Sequence, residues 1–359
     1  MHPFGLSRAE LWIARWAAPA GATLPTVKKP PALLAALLLT SSPAAAFVRT
    51  KTSDGRYFLW WPSRQVPFRL QADCALRPEP DGGIDEGSLP PEAADAGEDA
   101  GGYRSACEDA VLASFAAWQN AGAPDAGGPG CTDLALLFTG ETNEREVGID
   151  LDAGAPNGNL VLFQPRLCDA VVPQDDPCWA TDSCDGPYGC FSKGAEVLAL
   201  TTTTYDQSDG ALVDADIEVN DAPPDEGGFD FSAEPRSPLP GTMDVEDTIT
   251  HEAGHFLGLA HNCGEPGAPA CTPTLAAGVM YFAAEPGETV KRTLKPDDIA
   301  GVCHIYPRGR RTAVVNLFDM AGSDRVEVDG CGTPGAAALG PPALLVLLLL
   351  RRRPKQPVA

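Results

Sequence analysis

Residues 250–262 read Thr-His-Glu-Ala-Gly-His-Phe-Leu-Gly-Leu-Ala-His-Asn. They place three of the chain's 5 histidines, and one glutamate, inside a run that otherwise has the apolar content of a helix. His251 and His255 are four residues apart, so on a helix they share a face, one turn from each other. A helix that simply continued would carry His261 past them. Gly258 removes that difficulty, because glycine adopts positive φ at little cost and lets the chain turn sharply. The stretch therefore predicts a helix over Asp244–Leu259, a break at Gly258, and His261 folded back as a third ligand. Three neutral imidazoles with a fourth position open make a catalytic rather than a closed structural zinc site. Zinc lowers the pKa of its water to about 7. Glu252, beside the first ligand, is placed to take that water's proton and return it to a leaving group. The competing reading is that these are ordinary helix residues. Five fixed positions make that coincidence about one in ten thousand in a chain of this length.

Several features point to export. Lys28 and Lys29 precede the apolar run Ala32–Leu39, and Ala44-Ala45-Ala46 fits the small-residue cleavage rule, so residues 1–46 are expected to act as a signal peptide and Phe47 to begin the mature chain. The first 26 residues suit such a signal poorly, and a start at Val27 gives a more compact one. Of the 11 cysteines, ten lie in the body at 74, 107, 131, 168, 178, 184, 190, 263, 271 and 303. Ten can form five disulfides in an oxidising compartment. A metal cluster is the alternative, but no pair has the two-residue spacing of a zinc ribbon. Cys263 with Cys271 is the local pairing expected. Cys168, Cys178, Cys184 and Cys190 are expected to pair among themselves, in an order the sequence leaves open.

The remaining cysteine, Cys331, heads an apolar span followed by Arg351–Arg353. This tail, residues 331–359, resembles the sorting tails of myxobacterial surface proteins, in which Gly-Cys precedes the span. The resemblance implies cleavage and anchoring near Cys331, and a plain membrane anchor is the alternative. Residues 308–330 are then a spacer. A formal charge of -23 argues against nucleic acid as a partner.

Periodicity gives the order of elements. Val66, Phe68 and Leu70 alternate with polar residues as a strand. Residues 75–101 are acidic and rich in Pro and Gly, and are expected to be a disordered insertion. A helix follows, its apolar face assigned to Ala106, Ala110, Leu112, Phe115, Ala116 and Trp118, ending at Gly122. Leu134–Gly140, Asn159–Gln164, Glu196–Tyr205 and Ala211–Asn220 read as strands, and residues 165–194 as a cysteine-stapled loop. After the histidine helix, a last helix starts near Pro296. That order predicts an α/β layer with a mixed sheet.

The pattern His-Glu-x-x-His-x-x-Gly-x-x-His over His251–His261 resembles the metzincin zinc-protease signature. Met280, in Gly-Val-Met-Tyr-Phe, matches the methionine turn of that clan. Residues 294–307, with Asp297, Asp298 and Ile299, are similar to the closing helix of matrixins. The resemblance covers roughly residues 47–307. It implies a mostly parallel twisted sheet with three main helices, and a zinc cleft between an N-terminal and a smaller C-terminal subdomain. It also implies zinc-dependent hydrolysis of peptide bonds, with Glu252 as general base. A substrate strand would lie antiparallel on an edge strand at Leu198, Ala199, Leu200 and Thr201. Departures are Asn262, where matrixins usually have Ser, and Phe282, where a Pro is common; Phe282 also holds the place, two after the Met, at which astacin-type enzymes carry a ligand Tyr, so Tyr281 is not expected to be a ligand. No Cys-bearing propeptide precedes the body, so no thiol-switched zymogen is expected. A freed Phe47 ammonium could dock on Asp298.

Asp206, Asp209, Asp214, Asp216 and Asp221 are a candidate calcium set, with a solvated acidic loop as the competing reading. His304 is expected to be an ordinary residue near the end of the last helix. The expected protein is a monomeric, secreted, surface-held peptidase acting on proteins or peptides, with the membrane reached through its tail. The alternative is a non-catalytic surface module in which zinc only stabilises the fold.

Overall fold

The computed structural model describes residues 6–15, 47–72, 74, 99–124, 128–149, 158–181, 183–234 and 238–312. In chain order, β1 (Leu6–Arg15), β2 (Val48–Arg49) and β3 (Gln65–Gln71) lead to α1 (Asp99–Gln119), β4 (Ala135–Thr142) and β5 (Leu160–Gln164). Three one-turn helices follow: α2 (Cys168–Val171), α3 (Cys178–Thr181) and α4 (Asp185–Tyr188). Then come β6 (Val197–Asp206), β7 (Leu212–Asn220), β8 (Phe231–Ser232), β9 (Met243–Asp244), α5 (Val245–Phe256) and β10 (Leu259–Ala260). α6 (Pro273–Ala276), β11 (Ala283–Ala284) and α7 (Pro296–Ile305) complete the described chain. The expected strands and the three main helices, α1, α5 and α7, are all present.

Seven strands form one mixed sheet in the order β11-β1-β6-β7-β5-β3-β4. Pairings β3–β4, β3–β5, β5–β7 and β1–β11 are parallel, whereas β6–β7 and β1–β6 are antiparallel. The sheet is therefore mostly parallel. One expectation is corrected here. Leu198, Ala199, Leu200 and Thr201 do lie on β6, but β6 is not an edge. β1 pairs with it from Leu6↔Asp206 to Ala14↔Val197. An edge strand presents a row of unpaired N–H and C=O groups, and a second extended segment satisfies them. That segment comes from the first 26 residues, which the sequence placed ahead of the best start.

The core lies between the sheet and α1 and α5. Cys107, Ala110, Val111, Ser114, Phe115 and Trp118 are buried on one face of α1, at the spacing of three and four that a helix stripe requires. Leu112 is only half-buried and Ala116 is exposed, so the apolar face is rotated from the one predicted. α1 also begins at Asp99, inside the predicted insertion 75–101, most of which lies outside the described residues. Phe115 stacks on Phe68 at 3.9 Å and meets Phe256 edge-on at 5.4 Å, joining β3, α1 and α5.

The ten body cysteines form five disulfides. Cys263–Cys271 is the pair expected, and the four loop cysteines pair as Cys168–Cys190 and Cys178–Cys184. Cys74–Cys107 ties the end of β3 to α1, and Cys131–Cys303 fastens α7 across 172 residues of sequence. Closing a loop that long removes on the order of 5 kcal/mol of unfolded-chain entropy in the loop model.

The described residues all belong to one compact unit, which ends at Asp324. The tail 331–359, with Cys331 and the Arg cluster, lies outside the described residues, as do residues 16–46 of the expected signal peptide 1–46, whereas its residues 6–15 form β1. Among the described residues no helix is long and apolar enough to cross a membrane.

Candidate metal centre

α5 begins where Asp244 accepts a hydrogen bond from the Asp247 amide at 2.7 Å, a side-chain N-cap. Arg292 holds that cap from outside, with Nε donating to Asp244 Oδ1 at 2.8 Å. Ile249, Ala253 and Phe256 turn into the core. The helix stops after Phe256, and Gly258 takes φ 89°, as the sequence requires. A Cβ there would also lie 2.6 Å from the Leu59 carbonyl oxygen.

The carbonyls left at the end of α5 find donors on other elements. Trp61 Nε1 donates to Phe256 O at 2.8 Å, and the Tyr306 hydroxyl to Leu257 O at 2.9 Å. The Thr50 amide donates to Gly258 O at 2.9 Å. β10 then pairs with β2, which directs the chain back so that His261 faces the helix.

His251, His255 and His261 converge as predicted. His255 Nε2 lies 3.1 Å from His251 Nε2 and 3.2 Å from His261 Nε2. The other ring nitrogens all meet oxygens. His251 Nδ1 is 2.6 Å from Val279 O, His255 Nδ1 is 2.9 Å from Leu259 O, and His261 Nδ1 is 2.7 Å from Glu265 Oε1. Oxygens of this kind only accept, so each Nδ1 carries the hydrogen and each Nε2 presents a lone pair to the centre. Burial, reinforced by the neighbouring imidazoles, pushes the pKa of His251 and of His255 well below the usual histidine value. Three lone pairs meeting in a dry site call for a cation. A tetrahedral ion bound at about 2.0–2.1 Å to imidazole holds its nitrogens roughly 3.3 Å apart, which the two short separations match. The set fits a metal ion, and it is the one cluster of three or more metal-capable side chains among the described residues.

Glu252 is fully buried next to His251. Thr201 on β6 donates its hydroxyl to Glu252 Oε2 at 2.6 Å. Thr201 therefore has a second role that the sequence reading missed: its side chain faces α5 and orients the carboxylate.

Met280 is buried against Gly254 of α5, in the turn that carries Val279. Asp298 holds this turn by its backbone, accepting from the amides of Val279 (3.1 Å), Met280 (3.3 Å) and Lys295 (2.8 Å). Val279 thus joins α7 to the first ligand, its N–H on Asp298 and its carbonyl on His251. The Asp298 carboxylate is committed to these amides. Phe47 packs one turn further along α7, against Gly301 and 5.3 Å from the His304 ring. Asp297, half-buried, shares the first turn of α7 with Asp298 and stands outside the ligand set.

The departures from the matrixin pattern have packing roles. The Asn262 amide group donates to Leu275 O at 2.8 Å. Phe282 lies 6.1 Å from the His261 ring, and Tyr281 rests on Phe282 at 4.7 Å. The candidate calcium aspartates do not assemble. Asp206 and Asp209 accept amides of their own turn, from Ser208 and Ala211. Asp216 is buried on β7 and accepts from Gly148 and Leu160, and burial together with Asp214 pushes its pKa well up.

Three further residues escaped the sequence reading. A Cβ on Gly254 would lie 2.2 Å from Met280 Sδ and 2.8 Å from the Trp118 ring, so glycine is what lets the helix rest on both. Mid-helix glycine costs about 1 kcal/mol against alanine, and that cost is itself a sign of close approach. Glu265 lies four residues after His261, inside the loop closed by Cys263–Cys271. Lys291 is fully buried and donates to Ala283 O at 2.8 Å, with Glu288 at 3.2 Å and Asp247 at 3.8 Å. It fastens β11 to α5, and nothing in the local sequence signals it. No protein-family model and no curated protein matches the chain.

Proposed function

We propose that the chain is a zinc-dependent endopeptidase of metzincin, matrixin-like type, exported and held at the cell surface by its C-terminal tail. The observation that carries this reading is the convergence of three lone-pair-bearing Nε2 atoms beside the buried carboxylate of Glu252. Zinc suits three imidazoles, and when bound it supplies a Lewis acid and a water of lowered pKa. The remaining work belongs to side chains of this protein. Glu252 takes a proton and returns it to the amine of the departing peptide. Thr201 keeps the Glu252 carboxylate at one rotamer. Val279, Leu259 and Glu265 fix the tautomers of the three histidines, and Asp298 and Met280 keep Val279 in place. Five disulfides suit an oxidising compartment, as export requires.

The test uses the exported, processed protein. Glu252→Ala is expected to abolish cleavage of an unfolded protein while one zinc per chain remains bound. Chelator-sensitive cleavage persisting in that variant overturns the proposal. A second reading, a non-catalytic surface module stabilised by metal, has one observation in its favour, namely that β1 already pairs along β6, where the substrate strand was expected. Bound zinc with no cleavage by the unsubstituted processed protein decides for it.

A further inference from the structure

One end of the sheet gathers positive charge in a chain whose formal charge is -23. β3, β4 and β7 all start there, since the pairings β3–β4, β3–β5 and β5–β7 are parallel. Past α7 the chain comes to the same end. Pro307 bridges Thr132, just before β4, and the Arg308 amide donates to Cys131 O at 2.8 Å. A turn follows, with the Arg310 amide on Pro307 O at 3.2 Å and Gly309 at φ 66°. Arg64, just before β3, lies over the Tyr306 ring at 5.4 Å and donates from Nη2 to Arg310 O at 2.8 Å. Arg308 donates from Nε to Gly130 O at 2.7 Å. These bonds and the Cys131–Cys303 disulfide build a fixed platform on which Arg308, Arg310 and Arg311 are exposed. The carboxylate among them, Asp133, is engaged on both oxygens, 3.6 Å from Arg64 Nη1 and accepting from the Gly309 amide at 2.9 Å.

We propose that Arg64, Arg308, Arg310 and Arg311 form a docking face for the anionic lipid headgroups of the membrane that holds the tail. The inference rests on the surface-anchoring part of the proposed function and not on peptide cleavage. The described chain ends at Thr312, one residue past the face. Cys331 follows within roughly 20 residues, a tether that spans at most about 70 Å when fully extended. This end of the body is therefore the one the tether draws to the surface. Arginine suits what it meets there, because its planar fork matches phosphate oxygens two at a time. The rest of the chain is strongly acidic, so the same surface repels it, and attraction at one end with repulsion elsewhere selects a single orientation. The metal centre lies towards the other end of α7. Asp298 in the first turn holds Val279 and Met280, whereas Tyr306 and Pro307, just past the last turn, carry the face. The 10 residues of α7 keep the two about 15 Å apart, farther than surface charge reaches at physiological salt, about 8 Å.

The test measures binding of the full chain to two kinds of vesicle, neutral phosphatidylcholine and phosphatidylcholine mixed with phosphatidylglycerol. Neutral vesicles read the tail alone, and the mixed vesicles are expected to bind more tightly. Arg310→Ala/Arg311→Ala is the variant of choice, because Arg310 joins the platform through its main chain. Each basic residue near an anionic surface is worth about fivefold in affinity, so the variant is expected to bind the mixed vesicles about 25-fold more weakly. Arg310→Lys/Arg311→Lys should keep most of the affinity. At about 1 M salt, where screening acts within roughly 3 Å, the difference between the vesicles is expected to vanish. Equal affinity of the unsubstituted chain for both vesicles overturns the inference and leaves the tail anchoring intact. Equal affinity of the chain and its alanine variant for the mixed vesicles overturns it as well. Arginine-dependent binding to mixed vesicles by a chain that ignores neutral ones upholds the face and sinks the tail anchoring. Duplex DNA that displaces the mixed vesicles at equal phosphate concentration assigns the face to nucleic acid and overturns the membrane assignment. A variant whose thermal midpoint falls is replaced by Arg311→Ala alone, for which the expected loss is about fivefold, and no loss there overturns the inference.

Discussion

Two halves of the candidate metal centre are built differently. His251 and His255 sit on a buried helix, and their outer nitrogens meet main-chain carbonyls, Val279 O and Leu259 O. His261 sits after the helix break, and its outer nitrogen meets the side chain of Glu265, which is 38% exposed. A carbonyl fixed by strand or turn geometry cannot swing away. A glutamate on a loop can, and what restrains it is the Cys263–Cys271 closure. The first half is therefore as rigid as the core. The second is as rigid as a short stapled loop, and the hydrogen bond from His261 holds the Glu265 pKa down and the group ionised.

The sharpest way to break the rigid half is to remove what holds its carbonyl. Asp298→Ala leaves the amides of Val279, Met280 and Lys295 without their acceptor, two of them buried. Each stranded buried amide costs about 1–3 kcal/mol, so a loss of stability on the order of 4 kcal/mol is expected. Zinc occupancy should fall with it, because the turn positions His251. Chemical denaturation with metal analysis checks both. A variant that melts normally and keeps its zinc would show that the methionine turn is held by its packing alone.

The next effect is smaller and acts on packing. In Gly254→Ala the new methyl meets Met280 and Trp118, and overpacking of this kind costs about 1–3 kcal/mol. Alanine regains about 1 kcal/mol of helix propensity. A net loss of about 1–2 kcal/mol is expected, read as a shift in the denaturation midpoint at unchanged slope. A stabilised variant would mean that Met280 yields to the methyl at no cost, and that the helical half is less tightly supported than its contacts imply.

The same division explains what was legible in the sequence. The helical half was readable because it rests on local rules. The spacing of His251 and His255 follows from helix periodicity, and Gly258 follows from the need for positive φ. The strands β3 to β7 were readable from alternation and apolar runs. What escaped depends on contacts far apart in sequence. The face of α1 was placed one position off because Ser114 is buried there, where its hydroxyl bonds Ala110 O and Glu246 O. Lys291 was invisible because a buried lysine depends on acceptors brought by α5 and β11. β1 was invisible because residues 6–15 pair with a strand nearly two hundred positions away, which no local pattern reports.

Glu265 is the residue that sharpens the comparison most selectively. If the loop half relies on this side chain, Glu265→Ala leaves His261 Nδ1–H without its acceptor but leaves the helical half untouched. Partners of this kind are worth about 10–100-fold in metal affinity. The exposed position of Glu265 places the expected loss at the lower end, about tenfold, or about 1.4 kcal/mol. Glu265→Gln keeps an oxygen at the same reach and gives up only the charge, so it should fall between alanine and glutamate. Zinc release to a competing chelator measures all three, with thermal stability of the metal-loaded chain as the control. A graded series at constant fold assigns the effect to orientation of the third ligand. Equal release rates in all three chains would mean that the Cys263–Cys271 closure alone fixes His261, and that the two halves are equally rigid for different reasons.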